Sequence, residues 1–311
     1  MEDPNKQPVF RDRSLSEVFE DGFNYVGQNI NALLRIATTT VLPVLVILAI
    51  VNAITTHFFE ELIPQDIFMD PEDISIEDLP IGLLTLLALI SLIAYFIGLV
   101  FYINFNASSL KYYAQKGAFE SLEEAKQTFK GHLTDVLGGV FFMIILAIFI
   151  GILAFILLLP VTLTGSLFLG FVATIIAVLV LPVLFYAFLS AFMSLVYNGD
   201  GYLHGFFQQV QRGFKNFGRS WVISFFTPII AFIIILIPQI VVSALAMWIP
   251  EMIDAAALSV LVNAVLALLG EFLNFAFLTL TFIVFGFYYF TLAHEFEGGD
   301  TATGEFNEEQ E

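Results

Sequence analysis

Residues 136–160 read VLGGVFFMIILAIFIGILAFILLLP, and after the short link VTLTGS, residues 167–197 read LFLGFVATIIAVLVLPVLFYAFLSAFMSLVY. No Asp, Glu, Lys or Arg falls between Asp135 and Asp200. An apolar run of about 18 residues or more is long enough to cross a hydrocarbon core of about 30 Å. Two such runs on either side of a tight turn around Pro160–Ser166 therefore predict a hairpin of membrane-spanning helices.

Outward from this hairpin the same pattern recurs. Further spans are expected at about Leu33–His57, Leu79–Ala107, Trp221–Trp248 and Ala255–Ala293, giving six with Val136–Pro160 and Leu167–Tyr197. Peptide groups cannot stay unpaired in lipid, so the spans must be helices. A β-barrel would need short alternating segments, which are absent. The fold class expected is all-α, a polytopic membrane helix bundle. Composition agrees: 311 residues are 59% hydrophobic and 13% charged, where a soluble domain is about a quarter charged.

The eleven basic residues fix an expected orientation. Lys6, Arg11, Arg13, Arg35, Lys111, Lys116, Lys126, Lys130, Arg212, Lys215 and Arg219 fall at the amino terminus and in alternate linkers. Loops rich in Lys and Arg stay in the cytoplasm, so both termini are expected inside and the protein in the cytoplasmic membrane. The first 30 residues are polar and lack the apolar core of a cleavable signal, so the first span is expected to act as its own insertion signal. The net charge of −18 comes largely from eight acids between Glu60 and Asp78, from Glu251 and Asp254, and from seven between Glu295 and Glu311. Solvated linkers and a tail account for it, with a habitat-adapted acidic surface as the alternative.

The even-numbered spans are too long. Thirty to 39 residues would reach about 45–58 Å, so they must tilt, break or project. Tyr112, Tyr113, Tyr197, Tyr202, Tyr288 and Tyr289 cluster near their inner ends, as an aromatic belt would.

A short amphipathic helix precedes each odd-numbered span. The first carries Leu15, Val18, Phe19, Gly22, Phe23 and Val26 on one face. The second carries Leu122, Ala125, Phe129 and Leu133, and the third Leu203, Phe206, Phe207, Val210, Phe214 and Phe217. Ser14-x-x-Glu17 and Ser121-x-x-Glu124 are capping-box patterns. Gly-Phe-x-x-x-Gly occurs at Gly22–Gly27 and Gly213–Gly218. The expected organisation is a polar segment 1–13, a membrane domain 14–293 made of three parallel repeats (about 14–110, 119–198 and 201–293), and an acidic, disordered tail 294–311.

Glu271 is the acid inside an apolar stretch. A carboxyl there should face the bundle interior, protonated or paired. It is either an ion or proton site, with Asn263, Asn274 or Gln239 as partners, or a neutral acid bonded between helices. Its depth depends on whether Ala255–Gly270 spans, re-enters or lies at the interface. Arg35, Lys126, Lys130, Arg212, Lys215 and Arg219 lie beside amphipathic faces and are candidates for contact with anionic lipid headgroups. The acidic run Asp70–Asp78 lacks the glycine and ligand spacing of an EF-hand and reads as solvated loop. Asp200 is expected to cap the third amphipathic helix.

Signs of catalysis are poor. His57, His132, His204 and His294 are far apart with no His-Glu-x-x-His pair, no Gly-x-Ser-x-Gly elbow or phosphate-binding loop occurs, and there is no cysteine. An enzyme, a cofactor, a metal site and a nucleic-acid partner are not expected.

Residues 208–221, QQVQRGFKNFGRSW, join a basic aromatic amphipathic helix to Gly-x-x-Trp and then a span. This segment, with the helix-plus-hairpin layout over residues 14–293, resembles bacterial multi-pass proteins that include the membrane domain attached to some glycerophosphoryl-diester phosphodiesterases. The chain has no counterpart of the soluble phosphodiesterase domain, so no catalytic residue carries over. The resemblance implies a membrane-embedded accessory role. An accessory or scaffold subunit, organising a membrane complex or lipids, is the leading expectation, and a transporter or channel using Glu271 the alternative.

Overall fold

The computed structural model describes residues 11–62, 81–119, 121–251 and 256–297. They form eight helices, with no strand among them: α1 (Leu15–Thr40), α2 (Leu42–Leu62), α3 (Ile81–Lys116), α4 (Leu122–Thr164), α5 (Leu167–Asn198), α6 (Tyr202–Lys215), α7 (Phe217–Glu251) and α8 (Ala256–Glu297). Five helices are long and apolar enough to cross a membrane, or six if α1 and α2 count as one bent span. The protein is a multi-pass helical membrane protein. The acidic run Asp70–Asp78 and the tail beyond Glu297 lie outside the described residues.

Helix ends follow local chemistry. The Ser14 amide donates to Glu17 Oε2 at 2.7 Å and the Glu17 amide to Ser14 Oγ at 3.4 Å, a complete capping box. At α4 the box is one-sided: Ser121 Oγ accepts from the Glu124 amide, while the Ser121 amide donates to the Tyr112 hydroxyl at 3.2 Å. Asp200 does not cap α6. The N-cap is Gly201 without a side-chain bond, and Asp200 instead accepts from Ser194 Oγ at 2.7 Å and from Asn198. Nor does Pro160 end α4. The helix runs on to Thr164 and stops where Gly165 turns left-handed at φ 62°. Pro43 lies in the first turn of α2, where its missing N–H costs least.

The chain divides into two compact units. Of the described residues, the first comprises 11–36, 103–119, 121–231 and 278–297. Its core is made by one end of each of three long helices. Residues 103–110 of α3, 190–194 of α5 and 281–293 of α8 are buried without interruption. These ends meet pairwise: the Lys111 ammonium donates to the Val196 carbonyl at 2.8 Å, Tyr186 and Tyr288 rings lie 5.1 Å apart, and Gly286 presses on Leu110.

The amphipathic segments pack around those ends. On α1, Gly22 faces Val284 and Tyr25 packs edge-on against Tyr113 and Phe287. On α4, the Phe129 carbonyl accepts from Asn104 at 2.7 Å and Gly139 faces Phe192. On α6, Gly205 faces Ser194 and Gly213 faces Val183, so α6 runs antiparallel along α5. The amphipathic part of α4 continues without a break into its apolar run. Away from the core the same helices carry exposed apolar side chains, such as Leu167 and Phe171 on α5, as a lipid-facing surface does.

The second unit, described residues 37–62, 81–102, 232–251 and 256–277, contains α2, the first part of α3, most of α7 and the first part of α8. Leu48 packs against Gly98, and Thr55 and Ser91 hydroxyls pair at 3.0 Å across α2 and α3.

One contact repairs a defect that the sequence creates. Pro182, inside α5, has no N–H to give to the Val178 carbonyl four residues earlier. The Trp221 indole Nε1 donates to that carbonyl at 2.9 Å. Trp221→Phe should therefore destabilise the protein by about 1–3 kcal/mol by orphaning the carbonyl. In a Pro182→Ala background the restored amide satisfies Val178, and the same change should cost well under half as much. Thermal unfolding of the four proteins in detergent measures this coupling.

Candidate functional site

The polar site of the second unit is built from three helices. Glu271 is 7% exposed on α8. Its Oε1 accepts from Asn52 Nδ2 of α2 and from the Tyr95 hydroxyl of α3, both at 3.4 Å. Asn274, one turn along α8, adds a further side-chain hydrogen bond. The Thr55–Ser91 pair lies about one turn away on α2 and α3, so polar contacts occupy successive turns of that helix pair. The residues from 256 to 271 belong to one uninterrupted helix running to Glu297, with no re-entrant break.

Of the expected partners, Asn274 joins Glu271. Asn263 is exposed, about two turns earlier on α8, and Gln239 Oε1 is buried with no hydrogen-bond partner among the described residues. Asn52 and Tyr95 were missed. Their signal was available: each is a polar side chain inside an otherwise apolar run, VILAIVNAI and SLIAYFIG.

The basic residues separate into three groups. Arg35, Lys130 and Lys215 are exposed and Lys126 is half-buried, as a headgroup contact requires. Arg219 is engaged within the first unit: it pairs with Glu295, donates to the Arg13 carbonyl and lies 3.7 Å from Asp12. Arg212 departs furthest from the expectation. It is 5% exposed, with its guanidinium 6.0 Å from the Phe296 ring centroid, and so faces inward, away from a headgroup.

The reason is the way α6 seats itself. Gly205 and Gly213 let the helix approach α5 closely, so a polar and small-residue stripe turns inward. Gln209 is fully buried and accepts from the Tyr186 hydroxyl at 3.1 Å. Of the expected apolar face, Phe206 is buried, but Leu203, Phe207 and Phe214 are 39%, 62% and 43% exposed. The apolar face lies where the periodicity puts it, but close backbone approach at glycine decides which face of α6 meets α5.

A second cationic residue is buried beside this region. Arg13 is 2% exposed, with Nε 2.7 Å from Asp21 Oδ2, Nη1 3.5 Å from Thr291 Oγ1 and its charge over the Phe287 ring. Burial lowers its pKa from the ordinary arginine value, and the hydrogen bond and charge of Asp21 oppose that shift. Arg11 also pairs with Asp21, at 2.9 Å.

Among protein-family models, curated proteins and solved structures, none matches the chain.

For Glu271 the geometry gives a direct expectation. Glu271→Gln keeps the acceptor for Asn52 and Tyr95 and should change stability by less than about 1 kcal/mol, whereas Glu271→Ala orphans both donors and should cost about 1–3 kcal/mol. Thermal unfolding in detergent separates the two. A hydrophobic carbodiimide, which attacks protonated carboxyls in apolar surroundings, should label Glu271 and not the Gln variant by peptide mass mapping.

Proposed function

We propose that this protein is an accessory or scaffold subunit of the cytoplasmic membrane, with both termini inside, and that α6 is its docking element. The loops that hold Lys and Arg support that orientation. Supporting the scaffold role is the outward stripe of Leu203, Phe207 and Phe214 on a helix whose polar residues are turned inward. A helix that exposes two phenylalanines and buries Gln209 has its apolar stripe free for a neighbour. The likeness of residues 208–221 to accessory membrane domains points the same way.

The test changes the stripe without touching the seat of α6. Full-length protein and a Phe207→Ser, Phe214→Ser variant are extracted in native nanodiscs and weighed intact. The wild type should carry a stoichiometric protein partner and the variant should lose it, with thermal unfolding unchanged. Wild type that emerges without a partner ends the scaffold reading.

Glu271 favours a second reading, a transporter or channel. A buried carboxyl held by donors from two other helices is the arrangement that ion- and proton-coupled sites use. On that reading Glu271→Gln abolishes proton or cation flux in proteoliposomes while the protein still inserts and folds. Undiminished flux in the variant, or none in the wild type, removes it.

A further inference from the structure

We propose that a groove between α4, α5 and α7 holds one acyl chain of a membrane phospholipid. The groove encloses about 510 Å³ and lies within the first unit. Its floor is the small-residue face of α5, Gly170, Ala173 and Ala177, and its walls include Leu158, Pro182 and Phe225. This site is separate from the α6 stripe and from Glu271, and the proposal stands whatever becomes of either.

Nothing in the groove solicits a polar ligand. Thr174 supplies its one hydroxyl, and that hydroxyl donates to the Gly170 carbonyl at 2.9 Å. Phe171 and Ile176, beside the groove on α5, are exposed apolar side chains. What bathes this face in a membrane is hydrocarbon.

Size selects among hydrocarbon occupants. From Gly170 to Pro182 the groove follows α5 for about 18 Å. One leaflet of a hydrocarbon core is about 15 Å deep, the reach of a single chain. A helix about 10 Å across and equally long would fill on the order of 1400 Å³, so a second copy of the protein could lodge only a ridge of side chains there. An extended alkyl chain enters whole.

The end of the groove is fixed. Trp221 donates to the Val178 carbonyl and stacks on Phe225 at 4.8 Å, which holds the α7 wall against α5. Indole rings at that position mark the level of the headgroups.

The chain has two tryptophans, and Trp248, 72% exposed, can be replaced by Phe to leave Trp221 as the sole reporter. Phosphatidylglycerol brominated along its chains, titrated into the full-length Trp248→Phe protein in detergent, should quench Trp221 saturably near one lipid per chain. Unbrominated phosphatidylglycerol should reverse it. Ala173→Phe and Ala177→Phe, which fill the floor, should weaken binding about tenfold, while Ile176→Phe, outside the groove, should not.

Quenching that climbs without saturating in the Trp248→Phe parent overturns the proposal, and this measurement holds even if a filled variant misfolds. Equal quenching in folded groove-filled variants overturns it too. A dimer on native mass spectrometry that Ala173→Phe dissolves would assign the groove to a second copy instead.

Discussion

Helices of 36, 43 and 42 residues, as α3, α4 and α8 are, would extend about 54–65 Å, roughly twice the hydrocarbon they cross. The surplus cannot remain in lipid, and much of the first unit follows from where it goes. In α3, α5 and α8 the surplus is buried against the other two helices, and α1, the start of α4 and α6 cover what those three leave open. The composition of the helices changes accordingly. Their exposed stretches are bulky and apolar, whereas Asn104, Ser108, Ser190, Ser194 and Thr291 are buried near the packed ends. Close packing supplies partners to some of them: Asn104 donates to the Phe129 carbonyl and Ser194 to Asp200.

Close packing in turn depends on glycine in specific places. Gly22 and Gly213, the first glycines of the two Gly-Phe-x-x-x-Gly segments, are the ones that touch a neighbouring helix, while Gly27 and Gly218 face open space. The motif therefore marks a contact at its first position only. Where packing leaves a backbone acceptor bare, a side chain supplies the donor. Lys111 reaches the Val196 carbonyl near the last turn of α5, and Trp221 reaches Val178 where Pro182 withdraws its amide. Both serve the same rule, that a carbonyl excluded from water needs a partner from the protein.

Much of the architecture was legible because it rests on hydrophobic length and on short-range chemistry. Apolar runs located the long helices, and Ser14 with Glu17 located the start of α1. Three features were not legible, each for a physical reason. The seat of α6 was not legible since amphipathicity ranks side chains by hydrophobicity and cannot register how closely Gly205 and Gly213 admit α5. Asp200 sits beside a helix start, yet Ser194 and Asn198 compete for its carboxylate from the preceding helix. Glu271 was recognisable from its charge, but its donors Asn52 and Tyr95 lie 219 and 176 residues away in sequence, a pairing that only tertiary structure creates.

Glu271 and the Thr55–Ser91 pair invite comparison because both make polar contacts in the second unit. Two hydroxyls join α2 to α3 at little cost, since each can donate and accept and neither carries charge. Interhelical hydrogen bonds of that kind contribute on the order of 1 kcal/mol in membranes. A carboxyl in the same surroundings brings a penalty of about 2.5 kcal/mol or more when ionised, and gives adhesion that a neutral amide matches. As glue alone it is the more expensive choice. Protonated, it escapes the penalty and becomes a donor as well as an acceptor; ionised, it needs the Asn52 and Tyr95 donors and a compensating cation. Protonated and ionised, a carboxyl here would make different hydrogen-bond demands on Asn52 and Tyr95, a difference that a Gln at this position lacks.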